Sequence, residues 1–232
     1  MHRESRREPA RVPHQGDDEP RVCRKADDSK VQVVRVIDLV DEQGLDRRGE
    51  VSHHGDADAL DTESKLQYLT YFVVCAPPFD PEVMRWIRDG SVRDEQQTRG
   101  GVQAWESEWE SQGFGLFAVE IRSTGELAGF TGLSVPDFLP EVLPAVEVGW
   151  RLGRSHWGQG LATEAAAAAV RFGFEERGLE RIVSITQVGN DASERIMTKL
   201  GMHPVRETVN PTCGRRVRVF ALSSDQYVAT TR

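Results

Sequence analysis

The aromatic residues of this chain are confined to one part of it. The nine Phe, five Trp and three Tyr residues all lie at or beyond Tyr68. Residues 1–63 contain none and are roughly 40% charged, a composition that cannot bury enough apolar surface to fold alone. We therefore expect a polar, disordered extension over residues 1–63, in which only residues 31–40 could form a strand or short helix. Residues 64–232 are expected to form one domain, long enough to bury roughly 70% of its unfolded surface.

Composition excludes several classes of protein. No apolar run approaches the roughly 20 residues that span a bilayer, and the opening MHRESRREP lacks the apolar stretch of a secretory signal. We therefore expect a cytoplasmic protein without membrane contacts. The cysteines Cys23, Cys75 and Cys213 are never in a C-x-x-C pair, so neither a disulfide framework nor a metal site is expected. The net charge of -8 argues against nucleic-acid binding, which needs clustered Lys and Arg, and favours a cationic partner.

Beyond Lys65 the hydrophobic pattern indicates alternating helices and strands. The predicted order begins with a short helix started by Asp80 and Pro81, a helix over 95–112, and a hairpin of strands 114–121 and 127–133. A strand over 145–152, an Ala-rich helix ending at Gly178 and a strand over 181–187 follow. The last elements are a helix capped by Asn190 and two strands flanking the turn 210–214. Gly100 and Gly101 are expected to interrupt the second helix or delay its start. This order predicts an α+β fold, a mixed sheet covered by helices.

A glycine-containing loop joins the strand over 145–152 to the Ala-rich helix. Its residues 157–163 read WGQGLAT. A helix that begins after such a loop presents unpaired N–H groups and the positive end of its dipole to an anion, and glycine lets the backbone approach a pyrophosphate. A flexible turn without a ligand is the alternative. The loop is not a Walker loop, because no Gly-Lys-Ser/Thr follows, and it lacks the third glycine of G-x-G-x-x-G.

Two longer motifs carry a resemblance to a known family. The string EVGWRLGRSHWGQGLATEA is followed downstream by NDASERIMTKLGM, and together they resemble the GNAT acetyltransferase superfamily, in particular its RimJ/RimL-like branch. The strings DPEVMRWI, GELAGFTGL and GLERI are also similar to that branch, so the resemblance covers residues 80–227. Trp157 stands where the wider superfamily places Gln or Arg, a departure that this branch shares.

The resemblance implies the GNAT fold, a central, mostly antiparallel twisted sheet with one splayed pair of parallel strands and helices on both faces. Acetyl-CoA would lie between the splayed strands, with its pantetheine arm added to the strand over 146–152 and its pyrophosphate on the glycine loop. The residues expected at this co-substrate are Trp150, Arg151, Leu152, Trp157, Gly158, Gln159, Gly160, Leu161, Ala162, Thr163, Asn190 and Ser193. From the residues alone, two alternatives remain: Asn190 could be a plain helix cap, and Ser193 could be an ordinary first-turn serine without contact to the co-substrate.

Glu147 is the candidate general base. Strand alternation places Val146 and Val148 on one face and Glu147 on the other, and a carboxylate in a largely buried strand requires a purpose or a partner. Its role is either that of a base or water-orienting residue, or that of a structural hydrogen-bonding group.

The reaction implied by the resemblance is direct attack of a neutral amine on the thioester, without a covalent enzyme intermediate. Ser193 would lie near the leaving thiolate. The acceptor would be a small-molecule amine or a protein N-terminus. An α-amine, with a pKa of about 7.7–8.0, demands less of a base than a lysine with a pKa of about 10.4. No metal is expected, and a homodimer is left open.

Several further residues have two interpretations. Trp105 and Trp109 either line the acceptor channel or pack their helix on the sheet, and packing is favoured. His156 either contacts phosphate or lies on the surface, and the surface is favoured. Three arginines of the last hairpin either form a solvated strand face, which is favoured, or contact the CoA 3′-phosphate; they are Arg215, Arg216 and Arg218.

The segment over 62–80 departs from the family pattern. The family normally supplies a strand and an amphipathic helix there, whereas TESKLQYLTYFVVCAPPFD is shorter and lacks that helix. One hypothesis is that residues 1 to about 75 derive from a misassigned start or a shifted reading frame. The rival to an acetyl-CoA-dependent N-acetyltransferase is therefore a non-catalytic acetyl-CoA-binding or degenerate GNAT domain.

Overall fold

The computed structural model describes residues 29–35, 80–92 and 94–231. Its strands are β1 (Val31–Arg35), β2 (Leu116–Ile121), β3 (Leu127–Ser134), β4 (Val146–Leu152), β5 (Arg181–Gln187), β6 (His203–Val209) and β7 (Arg216–Ser223). Its α-helices are α1 (Pro81–Met84), α2 (Glu95–Gln112), α3 (Leu161–Arg171), α4 (Asp191–Lys199) and α5 (Ser224–Thr231). Short 3₁₀ turns lie at Pro140–Val142 and Arg154–His156, and a π turn lies at Phe172–Glu176. No helix within these described residues is long and apolar enough to cross a bilayer.

The strands form one sheet in the order β1-β2-β3-β4-β5-β7-β6. Neighbours are antiparallel except β4 and β5, which are parallel. The parallel pairing covers two residue pairs, Val146 with Ile182 and Glu147 with Val183, although each strand has seven residues. The strands therefore part after Glu147. The predicted mixed fold, with a mostly antiparallel sheet and one splayed parallel pair, is confirmed.

Helix α2 runs without a break through Gly100 and Gly101, so the expected interruption or late start is wrong. A glycine inside a helix costs about 1 kcal/mol relative to alanine. Two contacts offset that cost. A capping box of Asp94 and Gln97 satisfies the backbone at the first turn, and near the other end the Trp109 indole donates to the Leu116 carbonyl over 2.9 Å.

Helix α3 brings small side chains against the centre of the sheet. Ala165 and Ala169 are fully buried in a core that contains Val148 and Leu152 of β4. The helical path continues beyond α3 as the π turn, close to the predicted end at Gly178. A Cβ at Gly173 in that turn would lie 2.7 Å from the Ile182 Cδ1, so glycine permits the turn to approach β5.

Strand β1 lies inside the region that composition assigns to an extension. It pairs antiparallel with β2 along its whole length, from Val31 opposite Ile121 to Arg35 opposite Phe117. Val31 and Val33 are buried in the main core. The Glu164 carboxylate of α3 accepts from the Val31 N–H over 3.0 Å and from the Ser29 hydroxyl. Residues 31–35 therefore belong to the folded domain, because alternating valines supply a buried face that an average over 63 residues conceals. For the other residues, the expected division into an extension over 1–63 and a domain over 64–232 stays a prediction.

We predict that Glu164→Ala loosens β1. Its carboxylate accepts from the first N–H of the strand, and a hydrogen bond to a charged group is worth about 1.5–3 kcal/mol. Hydrogen exchange at the Val31 and Val33 amides is expected to become at least about tenfold faster. Glu175→Ala, which removes an acid that contacts Tyr227 instead, is the control. Equal exchange in both variants would show that β1 is held by its sheet pairing alone.

Candidate active site

The parting of β4 and β5 places the Glu147 carboxylate at the fork between them. The Ile185 N–H of β5 donates to the Glu147 Oε1 over 3.3 Å. One residue earlier in β5, the Ser184 hydroxyl donates to the Val148 carbonyl over 2.9 Å. Side chains thus replace the backbone ladder where the two strands separate. Beyond this point β4 keeps β3 as its neighbour on one side and has no paired residue of β5 on the other.

The loop at the start of α3 has the backbone that its glycines predict. Gly158 and Gly160 have φ angles of 74° and 85°, in the region that favours glycine. Gly160 is the N-cap of α3, and among the described residues no side chain caps this helix. A Cβ at either glycine would meet nothing within 4 Å. The start of α3 therefore has no cap from a described side chain and has open space beside both glycines.

A cavity of about 310 Å³ lies over this loop. Of the twelve residues expected at acetyl-CoA, its walls include Trp150, Arg151, Leu152, Trp157, Gly158, Gly160, Leu161, Ala162, Thr163, Asn190 and Ser193. Gln159 does not line the cavity, because its side-chain amide turns back and donates to the Ser155 carbonyl over 2.9 Å. The Trp157 indole donates to the Leu152 carbonyl over 2.9 Å, which joins the loop to the end of β4.

A second cavity, of about 940 Å³, lies beside the fork. Its walls carry the carboxylates of Glu108, Asp137 and Glu147. Basic side chains come from Arg88 and Arg151. Five aromatic residues also line it: Trp86, Trp105, Phe130, Phe138 and Trp150. The two cavities share Trp150, Arg151, Asn190 and Ser193, together with Trp86 and Ile87. They therefore meet next to the end of β4 and the start of α4.

The environment of the second cavity shifts two carboxyl groups toward their neutral forms. Burial raises the pKa of Glu147 from 4.5 to about 8, with a smaller contribution from the charge of Glu108, and the Ile185 N–H opposes the rise. Burial also raises the pKa of Glu108, which is increased further by Asp137 and opposed by the Val135 N–H. The Val135 N–H donates to the Glu108 Oε1 over 2.8 Å. The three carboxyl groups thus act on one another electrostatically along one wall.

Asn190 and Ser193 occupy the first turn of α4. The Asn190 Oδ1 accepts from the Ser193 N–H over 3.3 Å, so Asn190 is the helix cap that the sequence indicates. Both residues also line both cavities. The cap and the cavity-facing position are therefore compatible, and the two interpretations that the sequence leaves open do not exclude each other.

The two tryptophans of α2 have different surroundings. Trp109 packs in the core, with its ring centroid 5.0 Å from that of Phe117 and 5.8 Å from that of Phe172. Trp105 lines the second cavity and lies 5.1 Å from the ring of Phe130. The favoured packing interpretation fits Trp109. Trp105 lines the larger cavity, and its place in an acceptor channel stays a prediction.

The surface position favoured for His156 is wrong. This residue is 9% exposed, and its Nε2 lies 3.5 Å from the Glu126 Oε1 in the turn between β2 and β3. It also lines the smaller cavity. The 3₁₀ turn at Arg154–His156 directs the imidazole inward, a local geometry that the sequence pattern does not specify.

The arginines of the last hairpin also differ from a simple solvated face. Arg216 is exposed and pairs with Glu207, while Arg218 binds both Glu194, over 2.7 Å, and Glu207, over 3.1 Å. Arg215 instead donates hydrogen bonds to the backbone carbonyls of Arg85 and Asp89, which follow α1. The described residues near the smaller cavity include Lys199 and Arg195 on α4, which the sequence analysis did not single out.

Glu108, Asp137 and Trp86 are cavity residues that the sequence analysis missed. Glu108 follows Trp105 by three positions, so both lie on one face of α2, and this spacing was a usable signal. Asp137 lies in an irregular loop, where no periodicity reveals its direction.

Cys23, Cys75 and the segment 62–79 lie outside the described residues. Within the described part of the chain, no three His, Cys, Asp or Glu side chains are grouped to hold a metal ion.

Comparisons with known proteins agree with this geometry. The family model described as "Acetyltransferase (GNAT) domain" matches residues 69–203. The uncharacterized protein YkkB of Bacillus subtilis (strain 168) is 36% identical over 124 residues, which are 53% of this chain and 70% of that protein. The uncharacterized N-acetyltransferase p20 of Bacillus licheniformis is 28% identical over 139 residues, which are 60% of this chain and 76% of that protein.

A solved structure supports the fold. RimL, a ribosomal L7/L12 α-N-protein acetyltransferase in complex with coenzyme A, aligns with a TM-score of 0.58 at 15% identity over 88% of this chain and 99% of that chain. At this identity the likeness shows the fold alone. Together with the sequence relatives, the family match confirms the resemblance and the expectation of an acetyl-CoA-dependent acyltransferase. The chain belongs to the GNAT acetyltransferase family.

Proposed function

We propose that this protein transfers the acetyl group of acetyl-CoA to a primary amine, with Glu147 as the base or water-orienting residue and Ser193 next to the leaving thiolate. The observation that carries the proposal is the position of Glu147. Its carboxyl group lies at the fork of β4 and β5, in the wall of the larger cavity and close to the residues that both cavities share.

The residues of the smaller cavity fit coenzyme A. Space is left next to Gly158 and Gly160, and the start of α3 offers N–H groups to a pyrophosphate. From Gly149 onward β4 has no paired strand on its β5 side, which suits an extended pantetheine arm that bonds to the strand backbone. Lys199 and Arg195 add positive charge to the same cavity, as phosphate groups require.

The acidity of Glu147 suits an α-amine as the acceptor. A base with a pKa of about 8 receives a proton from an α-ammonium group of about 7.7–8.0 at almost no cost. The same transfer from a lysine ammonium of about 10.4 costs about 3 kcal/mol. The uncharged amine then attacks the thioester carbon, the C–N bond forms and the C–S bond breaks. The nitrogen loses its second proton, and the departing sulfur gains one through the Ser193 hydroxyl, so the products are the amide and the CoA thiol.

The larger cavity suits an acceptor that arrives as a cation. Asp137 provides negative charge to its walls, Glu108 and Glu147 do so when they are ionised, and Trp105 and Phe138 provide apolar surface. An ammonium group near Glu108 and Glu147 favours their ionised forms, which offsets the effect of burial. Binding of the acceptor therefore promotes the form of Glu147 that removes its proton. The acceptor is a protein N-terminus or a small-molecule amine, and the α-N-protein activity named for RimL is consistent with the first.

A thiol-release assay with a panel of amines tests the proposed function. The panel contains peptides with a free N-terminus, the same peptides with a blocked N-terminus and a free lysine, and small amines. We expect CoA release with α-amines at neutral pH and slower release with lysine side chains. Tight CoA binding without turnover on any amine would instead identify a non-catalytic acetyl-CoA-binding domain.

We predict that Glu147→Gln lowers kcat by about 100-fold or more and leaves the Kd for CoA nearly unchanged, because the amide cannot accept the proton. Ser193→Ala is expected to lower kcat by about tenfold. In the parent protein kcat/KM should rise with pH around a midpoint near 8, because the ionised carboxylate is the base. In Glu147→Gln the remaining rise should follow the pKa of the acceptor amine and should move when an amine of different pKa is used.

Glu180→Gln is the matched control for Glu147→Gln, since Glu180 is an exposed acid directly before β5. Its pH profile should equal that of the parent. Parent-like kcat values in both Glu147→Gln and Ser193→Ala would remove the catalytic assignment.

We predict that Gly160→Val prevents CoA binding, because the branched side chain enters the space over the loop and the backbone has a φ of 85°. Gly178→Val is a matched control. Gly178 also has a positive φ, of 64°, and open space around its Cβ, but it follows the π turn and lines neither cavity. Calorimetric titration with CoA should show loss of binding in Gly160→Val alone, while both variants lose similar thermal stability. Equal CoA affinity in the two would contradict the assignment of the loop.

A further inference from the structure

Residues 80–92, here called the wall segment, contribute to both cavities. Trp86 and Ile87 line the larger and the smaller one. Val83 and Met84 of α1 anchor the segment by burial, and the ring of Trp86 approaches the turn that ends at Asn190, since a Cβ at Gly189 would lie 3.9 Å from it. The segment therefore forms part of the boundary where the two cavities meet.

The backbone of the wall segment leaves the helical conformation after α1. After α1 the chain adopts positive φ at Arg88, 48°, and at Gly90, 90°. A left-handed conformation is uncommon for a residue other than glycine and persists where surrounding contacts hold it. The carbonyl oxygens of Arg85, Arg88 and Asp89 all accept hydrogen bonds from side chains of distant elements.

Two side chains supply those hydrogen bonds. The Arg215 Nη1 donates to the Arg85 carbonyl over 2.7 Å, and its Nη2 donates to the Asp89 carbonyl. The Gln187 Nε2 donates to the Arg88 carbonyl over 2.8 Å. Arg215 also donates to the Gln187 Oε1 over 2.9 Å, which joins the two into one unit. Gln187 is buried at the end of β5, so the unit is fixed to the sheet on one side and to the wall segment on the other.

The other contact at the start of the segment is weaker. Asp80 lies 3.3 Å from Arg154 in an ion pair, but the arginine side chain is 61% exposed, and exposed pairs contribute little. The fork geometry of a guanidinium, in contrast, suits several carbonyl oxygens at once. Gly90 also leaves room for this arrangement, because a Cβ there would lie 3.0 Å from the Arg215 Nη2.

We propose that Arg215 and Gln187 are positioning residues that hold the wall segment at the junction of the two cavities and thereby set the affinity for acetyl-CoA and for the acceptor. The role as cavity boundary rests on the proposed function, whereas the attachment of the wall segment does not. The sequence interpretation of Arg215 as part of a solvated strand face is replaced by this one.

Limited trypsin digestion and CoA titration test the proposal, since Arg85 and Arg88 are trypsin sites within the wall segment. In Arg215→Ala, cleavage after Arg85 or Arg88 should become at least about tenfold faster, because a free segment enters the protease more easily. The Kd for CoA should rise by about five- to tenfold, and KM for the acceptor should rise more than kcat falls. Arg215→Lys should recover part of each effect, because one ammonium replaces the charge but not the fork.

Arg216→Ala is the matched control. Arg216 is the next residue in the chain, and its side chain pairs with Glu207. Its cleavage rate and CoA affinity should equal those of the parent. Gln187→Met, which keeps the side-chain length and removes the amide, is the second test and should show the same effects as Arg215→Ala. If circular dichroism shows that one of the two variants is poorly folded, the other decides.

The outcomes separate the two proposals. Cleavage after Arg85 and Arg88 at the parent rate in both Arg215→Ala and Gln187→Met would overturn the positioning role. Faster cleavage with an unchanged Kd for CoA and an unchanged acceptor KM would also overturn it, because the segment would then be held without effect on either cavity. Failure of the parent protein itself to bind CoA would contradict the proposed function, while the cleavage rates would still test the attachment.

Discussion

The parting of β4 and β5 determines the rest of the site. Two parallel strands that separate leave backbone groups without their regular partners, and buried backbone groups must find others. Here the Ile185 N–H donates to the Glu147 carboxylate, and the Val148 carbonyl accepts from the Ser184 hydroxyl. Beyond this point the exposed edge of β4 is available to an extended ligand. The fork thus leaves β4 without a paired residue of β5 beyond Glu147 and fixes the Glu147 carboxyl group beside this edge in one arrangement.

This arrangement has a cost in stability that depends on pH. Because the folded protein raises the pKa of Glu147 from 4.5 to about 8, the neutral carboxyl favours folding, and that contribution is complete below 4.5 and lost as the pH rises through about 8. The neighbouring charge of Glu108 adds to the shift. In the proposed reaction, an acceptor ammonium would compensate for both carboxylates. The site is least favourable when it is empty and ionised, so the proposal links recognition of a cation to the ionisation of Glu147.

The sequence predicted the parts of the fold that depend on local signals. The strand 146–152, the Asn190 cap and the glycine loop each have a pattern that neighbouring residues determine. The meeting of Glu108 with Glu147 was not predictable in this way, because it depends on how α2 packs across the sheet. The sequence indicates a possible strand within residues 31–40, but it does not show that β1 joins the folded domain, since its five residues lie within 63 that are mostly polar. The buried position of His156 and the attachment of Arg215 likewise depend on contacts between distant elements.

The glycines of the central strands show why the site requires the structure and not only the motif. A Cβ at Gly129 would lie 2.2 Å from the backbone of β4, and one at Gly132 would lie 2.3 Å from the Gly115 carbonyl, so these glycines allow strands to approach each other. Gly149 is also a strand glycine, but a Cβ there would meet nothing within 4 Å, and its φ does not require glycine. It lies two residues after Glu147 and lines the larger cavity. Its small size therefore keeps the space beside Glu147 open, and residue type alone does not distinguish this role from close packing.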